Sequence, residues 1–224
     1  MKTIFTLLLF ATTFTVTAQQ KPIEKQVGDF DQVKVFDLIE INLIKSDENK
    51  VVITGADTED VEIVNKRGKL KIRMKFDRSF DGSQTFVEVY YKDVNTIDAN
   101  EGAIIVANET ITQPYLELKA QEGGKIIANL EVDKLDSKAV SGGIIEASGK
   151  VKHQEIILNT GGIYEGKKLI TEQTKVKVSA GGEAYVSASV LADAKVRAGG
   201  YIEIHGDPVT IKKDRVFGGK IKVK

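Results

Sequence analysis

The chain has 224 residues, 42% of them hydrophobic and 29% charged, with 32 lysines and arginines balanced by 32 aspartates and glutamates. A formal net charge of zero gives no electrostatic footprint for nucleic acid, so no nucleic-acid partner is expected. The absence of cysteine excludes disulfides, thiol catalysis, thiolate metal sites and an anchor built on a lipid-modified cysteine.

Met1 and Lys2 form a short positive start, Ile4 to Val16 an apolar stretch diluted by threonines, and Val16-Thr17-Ala18 a small-residue step before Gln19. The pattern predicts a secretory signal over residues 1–18, with a buried N-terminal strand or helix as the alternative. The run is too short to span a bilayer and no later segment is apolar enough, so no transmembrane segment is expected. The mature protein is then exported, and is periplasmic, surface-associated or released.

Residues 19–98 are strand-rich, with turns at "KSDENK" and "NKRGK" and a loop-like "DRSFDGSQ". Alternation of β-branched and aromatic residues marks strands, but no glycine period accompanies it. This segment is expected to form a cap of broader coils or short antiparallel strands over the first edge of residues 99–224, continuous with them as one domain.

Residues 99–224 repeat. The first glycines of successive pairs stand at Gly123, Gly142, Gly161, Gly181, Gly199 and Gly218, and their partners at Gly124, Gly143, Gly162, Gly182, Gly200 and Gly219. The intervals are 19, 19, 20, 18 and 19 residues, and Gly102-Ala103 fits the same frame one step earlier. Two residues beyond each corner lie Ile105, Ile126, Ile145, Tyr164, Ala184, Ile202 and Ile221; four beyond lie Ala107, Ala128, Ala147, Gly166, Val186, Ile204 and Val223. Every one is apolar or small, while the position between them is mixed and increasingly polar, which is the period of a strand with one buried side. A unit this short cannot bury its own face, but stacked units can, with like residues about 4.8 Å apart. The predicted fold is an all-β parallel β-helix whose glycines turn each coil between a strand, a second strand and a polar connection such as "EVDKLD". Helical repeats would not tolerate a glycine pair in every unit, and leucine-rich repeats would need leucines and an asparagine that are missing. A sandwich or barrel is the remaining alternative. The last strand, "KIKVK", carries lysines on its outward positions and reads as a solvated end.

The strand "FDQVKVFDLIEINLIKSDENKVVITG", the following "GKLKIRM", the recurring "SGG" and "AGG" corners and the late "IEIHGDP" together resemble a secreted bacterial family, the putative auto-transporter adhesin, head GIN domain. The similarity runs over roughly residues 28–220. It implies a right-handed, pectin-lyase-like parallel β-helix, an adhesion role inferred from fold, and no catalytic residues.

Motifs of chemistry are sparse. No nucleophile elbow, phosphate loop or HExxH occurs, and no cofactor is expected. His153 and His205 fall at different offsets in their copies and read as surface residues. Glu146, Glu165 and Glu203 share the outward position three residues past the corner; the first two belong to successive coils, about 5 Å apart, and would repel or share a cation. Tyr185 and Tyr201 stand near the glycine strip as exposed rings of the kind on which sugars stack. These five residues are the candidate ligand-contact surface, and the expected partner is a glycan or a cell-surface protein, with homo-oligomers as a further option. A non-enzymatic, adhesin-like binding or structural protein is the favoured reading. The rivals are a carbohydrate-active enzyme using the glutamate row on the same scaffold, and a self-assembling structural protein.

Overall fold

The computed structural model describes residues 21–224, so the signal expected over 1–18 lies outside the described residues. Eight short strands come first: β1 (Ile23–Gln26), β2 (Gln32–Val35), β3 (Glu40–Lys45), β4 (Lys50–Gly55), β5 (Val61–Lys66), β6 (Lys69–Met74), β7 (Thr85–Tyr91) and β8 (Thr96–Ala99). Five long ones come next: β9 (Ile104–Gln121), β10 (Lys125–Val140), β11 (Ile144–Asn159), β12 (Ile163–Ser179) and β13 (Glu183–Arg197). The chain then closes with β14 (Tyr201–His205), β15 (Thr210–Val216) and β16 (Lys220–Val223).

The fold is an all-β parallel solenoid. From β9 to β16 each coil pairs in parallel with the next, and the register is the one the repeat dictates: Ile105, Ile126, Ile145, Tyr164, Ala184, Ile202 and Ile221 are successive partners. All but the terminal Ile221 are fully buried, so this ladder forms one continuous strip of the hydrophobic core. The expected polar connections are not loops. In β10 the inward side runs on through Leu130, Val132, Leu135, Ser137 and Ala139, so strand wraps the coil almost entirely. The reason is that these connections alternate as the flanking strands do, interrupted only where Asp133 and Lys134 are both exposed.

At each corner two consecutive residues have positive φ: Glu122 and Gly123, Ser141 and Gly142, Thr160 and Gly161. The amide of Gly124 donates to the carbonyl of Gln121 at 2.8 Å, closing a tight turn of the type I′ kind, and Gly143 to Val140 at 2.9 Å repeats it. Only the first glycine of the pair sits in the left-handed region there. The second is required by close approach, since a Cβ on Gly143 would lie 2.1 Å from the carbonyl oxygen of Ala120 in the preceding coil. Each corner also bonds along the axis, with Gly123 N–H donating to Ser141 O and Gly142 N–H to Thr160 O, both at 3.1 Å. The corner strip is not bare of side chains, because the left-handed residue before each glycine keeps its own: Glu101, Glu122, Ser141, Thr160, Ala180, Ala198 and Phe217.

The N-terminal strands add an out-of-order start. β2 and β3, joined through Asp37 and Leu38 (both with positive φ), form a coil that pairs in parallel with β8 and β9 on one side. On the other side it pairs with β6 and β7, which come later in the sequence. Antiparallel β5 on β6, and β4 with β1 on β7, complete that end.

One inward rung is polar. Tyr164 stands between Ile145 and Ala184 on the ladder; its hydroxyl donates to Gln154 Oε1 at 2.9 Å, and Gln154 Nε2 donates to Thr174 Oγ1 at 2.8 Å. The larger ring is accommodated by Gly166, where a Cβ would lie 2.4 Å from Tyr164 Cε1.

Candidate functional site

Past each corner the strand places residues alternately in and out, so the third residue after the corner builds an outward row along the axis. Strand pairing joins Val106, Ile127, Glu146, Glu165, Tyr185, Glu203 and Lys222 in that order. The expected adjacency of Glu146 and Glu165 is therefore present. A second outward row stands two residues further on at Asn129, Ser148, Ser187 and His205, and register shifts beside Ala128 and Glu146 set Thr110 and Lys168 as the partners of Asn129 and Ser148. Between the two rows runs a groove of about 600 Å³ that extends from Val106 and Ile127 past Glu146 and Glu165 to Lys167 and Lys168. Asn129 Nδ2 donates to Thr110 Oγ1 at 2.7 Å and Ser148 Oγ to Asn129 Oδ1 at 3.2 Å, which fixes the far wall.

The glutamates of the row are not equivalent. Glu146 pairs with Lys125 at 2.7 Å. Glu165 is half-buried; burial pushes its carboxyl above the usual range, with Glu146, Glu183 and Glu203 adding repulsion that Lys167 partly offsets. Glu203, expected to face solvent, is outward but covered, at 8% exposure. The Tyr201 hydroxyl donates to its Oε2 at 2.6 Å, His205 Nε2 to its Oε1 at 2.9 Å, and Lys167 lies 3.8 Å away. The Tyr201 bond first, and His205 with the nearby lysines after it, hold Glu203 below the usual carboxylate range against the opposing cost of burial.

The tyrosines are half-buried rather than fully exposed as the sequence suggested, because they pack on each other. Their ring centroids are 5.8 Å apart at 61°, an edge-to-face pair. Lys167 Nζ sits 4.2 Å from the Tyr185 centroid, and the Tyr185 hydroxyl donates to Glu183 at 3.2 Å. The Glu203 contact raises the Tyr201 phenol to about 12, so it stays protonated at neutral pH. Lys167, His205 and the asparagine wall were missed as site members. Their signal was the polar fifth position after every corner, visible once the alternation is traced two steps further. His205 is thus not an idle surface residue, whereas His153 lies on β11 away from this groove.

The arrangement offers a rigid surface with an apolar floor at one end, carboxylates and amides along the walls, and an aromatic pair at the other end. Among the described residues no three histidine, aspartate or glutamate side chains converge as a metal site, and no helix is long and apolar enough to cross a membrane.

Solved structures share the fold. A putative adhesin from Bacteroides fragilis is 17% identical, with a TM-score of 0.83 over 91% of this chain and 96% of that one. A putative lipid binding protein from Parabacteroides distasonis is 19% identical, with a TM-score of 0.72 over 93% and 98%. A putative adhesin from the same organism is 19% identical, with a TM-score of 0.70 over 91% and 96%. No curated protein matches the sequence at a significant level. Residues 29–208 match the family described as putative auto-transporter adhesin, head GIN domain, and the chain belongs to that family.

Proposed function

We propose that this is an exported, non-enzymatic, adhesin-like binding protein that holds a glycan in the groove between the two outward rows. The observation that carries the reading is the groove itself. Its walls advance along the axis at strand spacing, so successive units of an extended chain meet successive coils, apolar at the Val106–Ile127 end and polar beyond. Carboxylates, amides and a hydroxyl suit sugar hydroxyls, and the face of Tyr185 or Tyr201 suits the apolar side of a sugar ring. The strand scaffold keeps these groups in place before binding, which limits the ordering cost.

A non-enzymatic role fits the occupied state of the polar groups. Glu203 accepts from Tyr201 and His205, and Glu146 is paired with Lys125, so neither is a free base. The enzymatic rival draws on one specific observation, the raised Glu165 beside Glu146, a pair of carboxyls of the kind glycoside hydrolases use. The test is a glycan and polysaccharide binding screen on the chain from Gln19, with and without calcium, reading reducing-end release in the same wells. Saturable binding without product is expected, weakened about tenfold or more in Tyr185→Ala by loss of a stacking contact. Product release that disappears in Glu165→Gln would replace this reading with the enzymatic one.

A further inference from the structure

On the β5–β6 hairpin, strand pairing sets lysine against lysine. Lys66 stands directly across from Lys69 and Val64 across from Lys71, all on the outward side, while Leu70 and Ile72 alternate with them and are buried. β2 continues this face, with Gln32 beside Lys69 and Lys34 beside Lys71. Lys66, Arg67, Lys69 and Lys71 line a recess of about 330 Å³ that Gln32 and Val64 complete. Residues 63–72 carry those four cations and no carboxylate.

The cations that bound the recess are paired, Arg73 with Glu62 at 2.6 Å and Lys34 with Asp98 at 3.0 Å. Among the described residues none of the four within it has an ion pair, and the Asp31 carboxylate beside Gly68 bridges none of them. Like charges directly across a strand pair destabilise it, so the arrangement has a cost that folding alone does not require. Edge protection explains part of it: β5 pairs only with β6, and a lysine there discourages strand addition. That accounts for Lys66 alone, because β6 is paired on both sides, by β5 and β2, and its Lys69 and Lys71 protect no edge. The hairpin is also held in place, since Asn65 Nδ2 donates to the carbonyls of Val27 at 2.7 Å and Asp29 at 2.9 Å.

We propose that this recess is a second binding site, taking a soluble ligand that carries two or more phosphate or sulfate groups close together. Directly paired residues such as Lys66 and Lys69 have Cβ atoms about 5 Å apart and diagonal neighbours about 7 Å, a spacing that suits clustered anionic groups. A single carboxylate would leave most of this charge unanswered. The lysines supply mobile point charges and Arg67 a planar fork for two oxygens, the usual means of holding such groups. A concave site of this size encloses a compact group better than it meets a flat bilayer. The glycan groove lies past the corners, whereas the hairpin extends the face that precedes them through β2 and β8, so the two sites are separate.

Isothermal titration of the chain from Gln19 with inorganic tripolyphosphate and with a trisulfated disaccharide, each up to about 1 mM, tests it. Saturable binding of at least one probe is expected, weakened about tenfold or more in Lys69→Gln with Lys71→Gln and by a similar factor between low and high salt. Lys138 and Lys177 stand on the same outward row as Lys71, four or more strands away. That is about 19 Å or more, beyond the Debye length, so Lys138→Gln with Lys177→Gln removes equal charge and should leave binding within about twofold of wild type. Without ligand the first variant should keep or raise the melting temperature, because Lys66 no longer faces a like charge. The probe that binds should raise the wild-type melting temperature and not that variant's. No saturable binding of either probe overturns the proposal, as does equal weakening by the two variants, which would make the attraction a general one. Capture by phosphatidylglycerol vesicles through Lys69 and Lys71, with neither soluble probe bound, would also overturn it and assign the face to a membrane.

Discussion

Glu165 and Glu203 occupy the same position of the repeat, one coil apart from Tyr185 on either side, yet their surroundings push them in opposite directions. For Glu203 the folded value lies below the unfolded one, so its contribution to stability is present above the usual carboxylate range and is lost as pH falls through the folded value. Glu203→Gln should therefore lower the melting temperature at pH 7, with the gap to wild type narrowing on acidification. Glu165 has a raised value, so it favours the fold below the ordinary carboxylate range and loses that advantage as pH rises through its folded value. Glu165→Gln should raise the melting temperature at pH 7 or leave it unchanged, and differ little from wild type in acid; a drop at pH 7 would contradict the crowding of Glu165 by its neighbours. The inward pair behaves differently. Gly166→Ala drives a Cβ into the Tyr164 ring and should cost about 1–3 kcal/mol by overpacking. Restoring the neighbouring coil's residues with Tyr164→Ile and Gln154→Leu should recover most of it, read as coupling in a denaturation cycle. The sequence displayed the row of glutamates but not this inequality, which depends on which side chains fold over each carboxylate.

At the scale of the element, the glycine pair divides its labour. Gly142 has φ +75° with open space around it, so Gly142→Ala should cost about 1–2 kcal/mol, the penalty of a left-handed alanine. Gly143 is not left-handed but lies against Ala120, and Gly143→Ala should cost about 3 kcal/mol or more because backbone must move. Equal costs in urea denaturation would contradict the division. The period, the inward ladder and its register were legible because side-chain direction follows strand alternation, and the repeat supplied it many times over. The continuous strand through "EVDKLD" was also there to be read in Leu130, Val132 and Leu135, though the exposed charges between them disguised it. The left-handed residue before each glycine was not legible, since glutamate, serine, threonine, alanine and phenylalanine share no chemistry; the turn imposes the conformation on whatever stands there.

The whole molecule is a stack in which each coil touches its neighbours, and the order of the coils is where sequence reading stops. A coil built from β2 and β3 lies between one formed by β6 and β7 and one formed by β8 and β9, so adjacency in space skips adjacency in the chain. Local alternation marks those strands but carries no information about which of several similar edges each one joins. The groove emerges only from the stack, since a single coil contributes one residue to each wall. Asn129 and Ser148 illustrate it: ordinary as polar residues beyond a glycine corner, they become a bonded wall once register sets them side by side. The measurement that bears most directly on function is equilibrium binding of the best polysaccharide from the screen to wild type, Tyr185→Ala and Asn129→Ala. Saturable binding weakened in both variants, with melting temperatures unchanged, is the expected result. Binding that neither substitution affects would contradict the assignment of the groove as the binding site.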